Sequence, residues 1–594
     1  MSRLSPAWRF DTGELALGRG TKAGGKAGFV ATPIVVDGVL YVSTPSSRVF
    51  ALDAETGRRR WVFDPQAGRA PRLFNSHRGV AYWEGPAAAG KGRDRRIFTG
   101  TIDGRLFALD AGTGKPVTGF GSGGSVDLRE GVADGAPKRT AWGGRVTSPP
   151  AVWRDLVITG WGLPESPGLG PSGDVRAFDA RSGRQVWRFH TVPRPGELGH
   201  ETWEGDTWRD RGGTNVWSMM SVDVERGLVF LPVGSPTYDF WGGDRKGQNL
   251  FGNALVALDA ATGRRVWHFQ TVHHDLWDYD LPAQPVLVTL KRDGRDVPAV
   301  VQVAKTGFVF VLDRLTGQPL FPVEERPVPA SDVPGDAAWA TQPFPVRPAP
   351  LARLTMTREE VSRVTPEARE ACLALFDVLV TRGPFTPSGM ARTLNFPGTL
   401  GGANWGGASF DPASGRLYVS VNEEGSIGQM RPSAPGAPMP YFRAGGTEAE
   451  GEYPRFRGPN GWPCQEPPWG TLSAVDLGTG DRAWRVPLGE VEALSRRGVS
   501  KTGTQSLGGS IVTAGGLVFI GATVDKRFRA FDSATGEELW SHAVPANAHA
   551  TPATYEGRSG RQYVVIAAGG GGLLRELSAD LSDTLIAFAL PSGR

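Results

Sequence analysis

Short runs of alternating apolar and polar residues recur along the chain, each ending in the same phrase. A small or aliphatic residue and a hydrophobic one precede Asp; two variable residues, Thr or Ser, and Gly follow, often with Trp or Phe a few residues on. Copies run from Ala51-Leu52-Asp53 to Trp61, Ala108-Leu109-Asp110 to Gly114, Ala177-Phe178-Asp179 to Trp187 and Ala257-Leu258-Asp259 to Trp267. Three more run from Val311-Leu312-Asp313 to Phe321, Ala474-Val475-Asp476 to Trp484 and Ala530-Phe531-Asp532 to Trp540. Each phrase predicts strand, turn, strand: the alternating residues enter, Asp and Thr-Gly make the turn, and the aromatic leaves on the next strand. Most copies lie about 55 to 80 residues apart, room for a four-stranded blade with its loops. The expected fold is therefore an all-β propeller.

The termini predict how the ring closes. Ile586–Leu590 carries the strand of a repeat without a following aromatic strand, and Trp8-Arg9-Phe10-Asp11 supplies one. Pairing them removes two exposed sheet edges. Counting this composite unit predicts eight blades in one domain over residues 1–594. The long interval from Asp313 to Asp476 is expected to be one blade with two insertions. The first, about 322–400, has a helical stretch near Thr357 to Thr381; the second, about 423–469, is rich in Pro and Gly and is expected to be an ordered or semi-ordered surface loop.

Composition fits a turn-dense chain, with 82 Gly and 47 Pro. The net charge of +4 is spread without a basic run or an aromatic-basic stripe, which argues against nucleic-acid binding. No apolar stretch is long enough to span a membrane. No signal peptide is visible, so the chain is expected to be either cytoplasmic or a mature form with a start Met. Cys372 and Cys464 either pair and tie the insertions together or are two unrelated thiols.

Four segments carry candidate chemistry. Thr271–Pro282 holds three acids and two His within eight residues and lacks strand or helix alternation, so it is a loop. It is a ligand site, a set of turn-capping Asp residues, or a His-His-Asp zinc site. Lys305 lies in a strand run and must reach a partner or solvent, since burying an unpaired ammonium is costly. Gly212–Trp217 and Gly401–Gly407 each put Trp among small residues, either as a stacking face for a flat ligand or as a core Trp between blades.

Taken together, His273–Pro285, Asn75–Tyr82, Thr147–Pro150, Phe396–Gly398 and Pro463–Gly470 resemble the pyrroloquinoline-quinone (PQQ)-dependent quinoprotein alcohol and sugar dehydrogenases. The resemblance is greatest to the propeller part of the membrane-bound quinoprotein glucose dehydrogenases, and it covers essentially the whole chain. It implies Trp-docked blades and an oxidoreductase that takes two electrons from an alcohol, polyol or aldose hydroxyl into bound quinone. It implies Asp278 as catalytic base and Lys305 as the cation on the quinone oxygens. It implies Trp217 beneath the quinone ring, Arg78 on a quinone carboxylate, Thr147 as a hydroxyl contact, and Asn404 with Trp405 on the far side. It also implies a calcium ion, or another divalent or lanthanide ion, held by Glu165, Ser235 and Asp278, with Ser235 where the family usually has Asn. Where alcohol-oxidising relatives carry adjacent cysteines this chain has Asn75-Ser76-His77, and Gly569–Gly572 replaces a Gly-Gly-His-Gly of the glucose type. No fused cytochrome is present, so electrons are expected to pass to an external acceptor such as a cytochrome c or a quinone, in the periplasm. A non-enzymatic propeller scaffold of the same ancestry is the alternative; it has no reason to keep Asp278, Lys305, Arg78 and Trp217 together.

Overall fold

The computed structural model describes residues 3–17, 27–67, 76–87, 92–132, 144–163, 169–444, 453–578 and 580–591. Among these, seven four-stranded antiparallel sheets and a three-stranded one follow one another along the chain as meanders. A typical one comprises Ser221–Asp223, Leu228–Pro232, Ala254–Asp259 and Arg265–Gln270. Its second strand is buried on both faces, and the two-residue period sends alternate side chains to different neighbours. Val229 and Leu231 pack into one interior cluster, Leu228 and Phe230 into the next. Apolar layers between successive sheets thus make the core. The first strands of successive sheets lie side by side from Ala81–Pro86 through Ala151–Trp153, Ser221–Asp223, Val286–Arg292 and Ala408–Asp411 to Ser510–Val512.

The repeated phrase is the clamp between sheets. In each copy Asp caps its turn: Asp259 Oδ1 accepts from the Thr262 N–H at 2.9 Å and its hydroxyl at 2.7 Å. Gly then takes a positive φ, which admits the preceding sheet's Trp at Gly57, Gly114, Gly263, Gly317 and Gly536. At Gly317, φ +73°, a Cβ would lie 2.5 Å from the Trp267 ring. The indole N–H completes the contact by donating to a carbonyl of the next sheet, as Trp61 does to Ala111, Trp187 to Ala260 and Trp267 to Arg314, each at 3.0 Å. Trp484 reaches Ser533 at 3.1 Å, Trp540 reaches Leu4 at 3.2 Å, and Trp8 reaches Ala54 at 3.0 Å. The contacts therefore return to the beginning of the chain. The N-terminal strand Ser5–Asp11 pairs antiparallel with Leu581–Ala589, as the termini predict.

The three-stranded meander, Val286–Arg292, Arg295–Val303 and Val309–Asp313, is followed by the first insertion. The expected helix spans Pro366–Phe376, with the Thr365 hydroxyl accepting from the Ala368 N–H at 3.1 Å. The second insertion is not loop alone but carries strands. Its strands Ser426–Pro432 and Tyr441–Ala444 build a sheet with Thr393–Asn395 of the first insertion. Pro and Gly content hid this pairing because the partner strand lies in the other insertion. Cys372 and Cys464 form a disulfide that joins the helix to the second insertion, deciding between the two possibilities left by the sequence.

Candidate active site

The loops at one end of these sheets enclose a cavity of about 1060 Å³. Arg78, Thr147, Trp217, Asp278, Lys305, Asn404 and Trp405, the described residues expected at a quinone site, all line it. They are drawn from six separate stretches of sequence. Glu165 lies outside the described residues.

Residues 271–282 form the centre. Lys305 sits at the turn after Arg295–Val303, only 5% exposed, and does not point to solvent. Its Nζ donates to Asp278 Oδ1 at 2.7 Å and to the Asp278 carbonyl at 2.8 Å, with Asp280 Oδ2 at 3.6 Å. Burial of both partners makes this pairing necessary: an ammonium without a counter-ion here would carry the full desolvation cost. Asp280, a residue missing from the expected site set, ties this cluster to the indole. Its Oδ2 accepts from Trp217 Nε1 at 3.1 Å, while Oδ1 accepts from the Ser235 N–H. The Trp217 carbonyl is held in turn by the hydroxyls of Thr147 at 2.7 Å and Ser148 at 2.8 Å. Thr147 is thus at the site, with its hydroxyl engaged by the protein. Asn404 is likewise occupied locally, donating to the Leu400 carbonyl and accepting from the Trp405 N–H at 2.7 Å.

Arg78 is the unusual cation. Its guanidinium carbon is 4.9 Å from the Trp217 ring centre and 5.1 Å from that of Trp405. It is 6% exposed, donates to the Thr147 carbonyl at 3.3 Å, and has a buried Nε with no partner among the described residues. No carboxylate pairs with it among the described residues. Burial, and then the neighbouring Arg145, pull its pKa down to about 9. A buried guanidinium against two indoles, beside a second cation, has the charge and the aromatic faces that a flat anion could use. Arg145 lines the same cavity and was missed in the sequence; it stands two residues before Thr147 in a segment with no repeat or motif of its own.

The metal expectations fare unevenly. Asp278 and Asp280 supply carboxylate oxygens to the cavity, the donor type a hard divalent ion takes. Ser235 is placed differently: it is absent from the cavity lining, and its hydroxyl donates to Asp275 and accepts from Asn253 at 3.1 Å. A hydroxyl engaged on both sides in the interior is poorly available as a ligand. The His-His-Asp zinc option is also overturned by geometry. His273 bonds Gln270 and Glu325, whereas His274 bonds the Gly247 carbonyl at 2.8 Å. Among the described residues, no group of three or more His, Cys, Asp or Glu side chains is set to hold a metal.

The model of the PQQ glucose/ethanol/alcohol dehydrogenase β-propeller domain matches residues 1–564. Quinate/shikimate dehydrogenase (quinone) of Acinetobacter baylyi is 35% identical over 630 residues, spanning 99% of this chain and 76% of that protein. Quinoprotein glucose dehydrogenase of Gluconobacter oxydans is 35% identical over 640 residues, covering 100% and 77%. Among solved structures, a quinohemoprotein alcohol dehydrogenase from Pseudomonas putida HK5 superposes with a TM-score of 0.71 at 28% identity, covering 100% of this chain and 77% of that one.

Proposed function

The chain belongs to the PQQ-dependent glucose/ethanol/alcohol dehydrogenase family, and from that premise we propose that it oxidises the hydroxyl of an alcohol, polyol or aldose at the cavity around Asp278. The observation that carries this is the buried Arg78 guanidinium, without a carboxylate partner among the described residues and flanked by Trp217 and Trp405. Nothing in a propeller scaffold requires such an arrangement, while a planar anionic quinone does. We read the eight meanders as eight blades of a ring carrying that cavity at one end of its axis.

When bound, the quinone supplies a two-electron acceptor and a calcium or similar ion a Lewis acid. Arg78 and Arg145 offer charge-assisted hydrogen bonds to quinone carboxylates, and Trp217 offers a flat apolar floor. Asp278 accepts the substrate hydroxyl proton as general base. Lys305 holds the Asp278 carboxylate in place and would offer its remaining N–H donors to the quinone oxygens. Asp278, Asp280 and Glu165 are the proposed metal carboxylates. The Cys372–Cys464 disulfide supports an oxidising compartment such as the periplasm, and no described helix is long and apolar enough to cross a membrane.

A second substrate class is favoured by one observation. Arg575 lines the same cavity and donates to the Gly572 carbonyl, with no carboxylate partner among the described residues; Arg455 lies on that lining too. Arg575 suits a polyol that carries a carboxylate, as in the relative named for quinate, whereas Arg455 is ion-paired with Glu424 at 4.0 Å. The test is reconstitution with quinone and calcium, followed by a dye-reduction screen over glucose, glycerol and quinate. Arg575→Ala should raise KM for quinate and leave that for glucose unchanged. Quinone binding that is equal in excess chelator would remove the metal, and no turnover of any alcohol or sugar would remove the activity.

A further inference from the structure

We propose that Asp275 is the positioning residue for the base, its buried carboxylate fixing the backbone on both sides of Asp278; this rests on Asp278 being the base. Asp278 adopts φ +60°, in the left-handed region where a non-glycine residue needs outside support. The two peptide N–H groups flanking it are the ones Asp275 holds. Oδ1 accepts from the Trp277 N–H at 2.9 Å and Oδ2 from the Tyr279 N–H at 2.8 Å. Two side chains complete the frame on Oδ2: Asn253 Nδ2 at 3.0 Å and the Ser235 hydroxyl. Asn253 also donates to the Tyr279 carbonyl at 2.9 Å, so residue 279 is gripped at both its N–H and its C=O. The wholly buried Arg245 donates to the Asp275 carbonyl and to that of Tyr238.

Asp275 itself is fully buried and is not part of the cavity lining. It cannot touch substrate or quinone, so its influence on turnover runs through residue 278. The same geometry gives Ser235 its role. Its hydroxyl is a strut of this frame, and its N–H holds Asp280, which in turn receives the Trp217 indole N–H. Base and aromatic floor are thereby referred to one buried scaffold. Displacement of a reacting group by about 1 Å costs on the order of 100-fold in rate, so a frame of this kind is worth its buried charge. Asparagine at 275 would set an N–H donor against donors already pointing at the carboxylate.

The experiment has one arm without cofactor and one with it. In the quinone-free protein, hydrogen–deuterium exchange of peptides spanning 271–282 is compared in wild type, Asp275→Asn and Ser235→Ala. The Trp277 and Tyr279 amides should exchange at least about ten-fold faster in Asp275→Asn and by an intermediate factor in Ser235→Ala, with the strand Ala254–Asp259 unchanged. In the quinone- and calcium-loaded enzyme, Asp275→Asn should cut single-turnover rate by about ten- to a hundred-fold. The same substitution should produce no further loss in an Asp278→Asn background. Unchanged amide protection, or a loss that multiplies undiminished in the Asp278→Asn background, overturns the proposal. A large fall in calcium affinity in Ser235→Ala would return Ser235 to the metal and overturn its place in the frame. If Asp275→Asn does not fold, Ser235→Ala decides through the same two readouts. If wild type turns over no alcohol or sugar, the functional reading fails, while the exchange arm still decides what holds the loop.

Discussion

The rim turns and the axial loop use the same chemistry for different ends. At the rim, Asp532 Oδ1 accepts from the N–H groups of Ala534 and Thr535 at 2.9 and 2.8 Å, at the protein surface. In the loop, Asp275 accepts from Trp277 and Tyr279 at nearly the same distances, in the interior. The Thr535 N–H bond, outweighing slight burial, holds the Asp532 carboxyl below the usual carboxylate range. At Asp275 burial dominates, and the carboxyl is pushed upward despite its donors. A surface cap solvates its own charge and serves folding; a buried cap costs the fold something and is explained by what it positions. Repetition marks the first kind, and singularity marks the second.

The sharpest way to break this comparison is to exchange acid for amide in both regions. Asp278→Asn should lower single-turnover quinone reduction by at least about two decades, the range typical of general-base loss, with quinone still bound. Asp532→Asn should leave that rate at the wild-type value. Equal losses would mean that the rim is not merely structural. Next in size is the clamp. Gly317→Ala should cost about 1–3 kcal/mol in chemical denaturation, because the new methyl meets the Trp267 ring at positive φ. Activity per folded molecule should be unchanged. Arg78→Ala should weaken quinone binding by about 1.5–3 kcal/mol, measured by absorbance titration, without moving the thermal midpoint downward, since a buried cation without a carboxylate partner is removed. A fall in the midpoint would mean that the Trp217–Arg78–Trp405 stack supports the fold and is not reserved for a ligand.

The smallest effect sharpens the contrast between caps. Asp532 has a depressed pKa in the folded state, so its contribution to stability is present above the unfolded value of about 3.9 and is lost as pH falls through the folded one. Asp532→Asn should therefore be slightly less stable than wild type at neutral pH, with the gap closing in acid. Asp275 has the opposite sign: its raised folded pKa means that its unfavourable contribution grows as pH rises from about 3.9 through the folded value. Denaturation midpoints of the two Asn variants, taken between pH 3 and 7 against wild type, should diverge in these opposite directions.

The sequence by itself determined the meanders, their order and the closing strand. Each depends on local signals: two-residue alternation, an Asp-capped turn and a Gly that admits an indole, as at Asp259, Gly317 and Trp267. It also marked out part of the cavity lining: Lys305 and Trp217 stand out where they occur, and the family resemblance pointed to Asp278, Arg78, Thr147, Asn404 and Trp405. Only the tertiary structure decided who meets whom. It paired strands from two separate insertions, joined Cys372 to Cys464, and brought Arg145 and Arg575 to one cavity with Arg78. It also turned Ser235 inward to Asp275 and gave Asp280 to the Trp217 indole. The physical reason is range: a rim turn is fixed by donors two or three residues from its Asp, whereas the surroundings of Asp275 are completed by Asn253 and Ser235, 22 and 40 residues away, which local sequence does not announce.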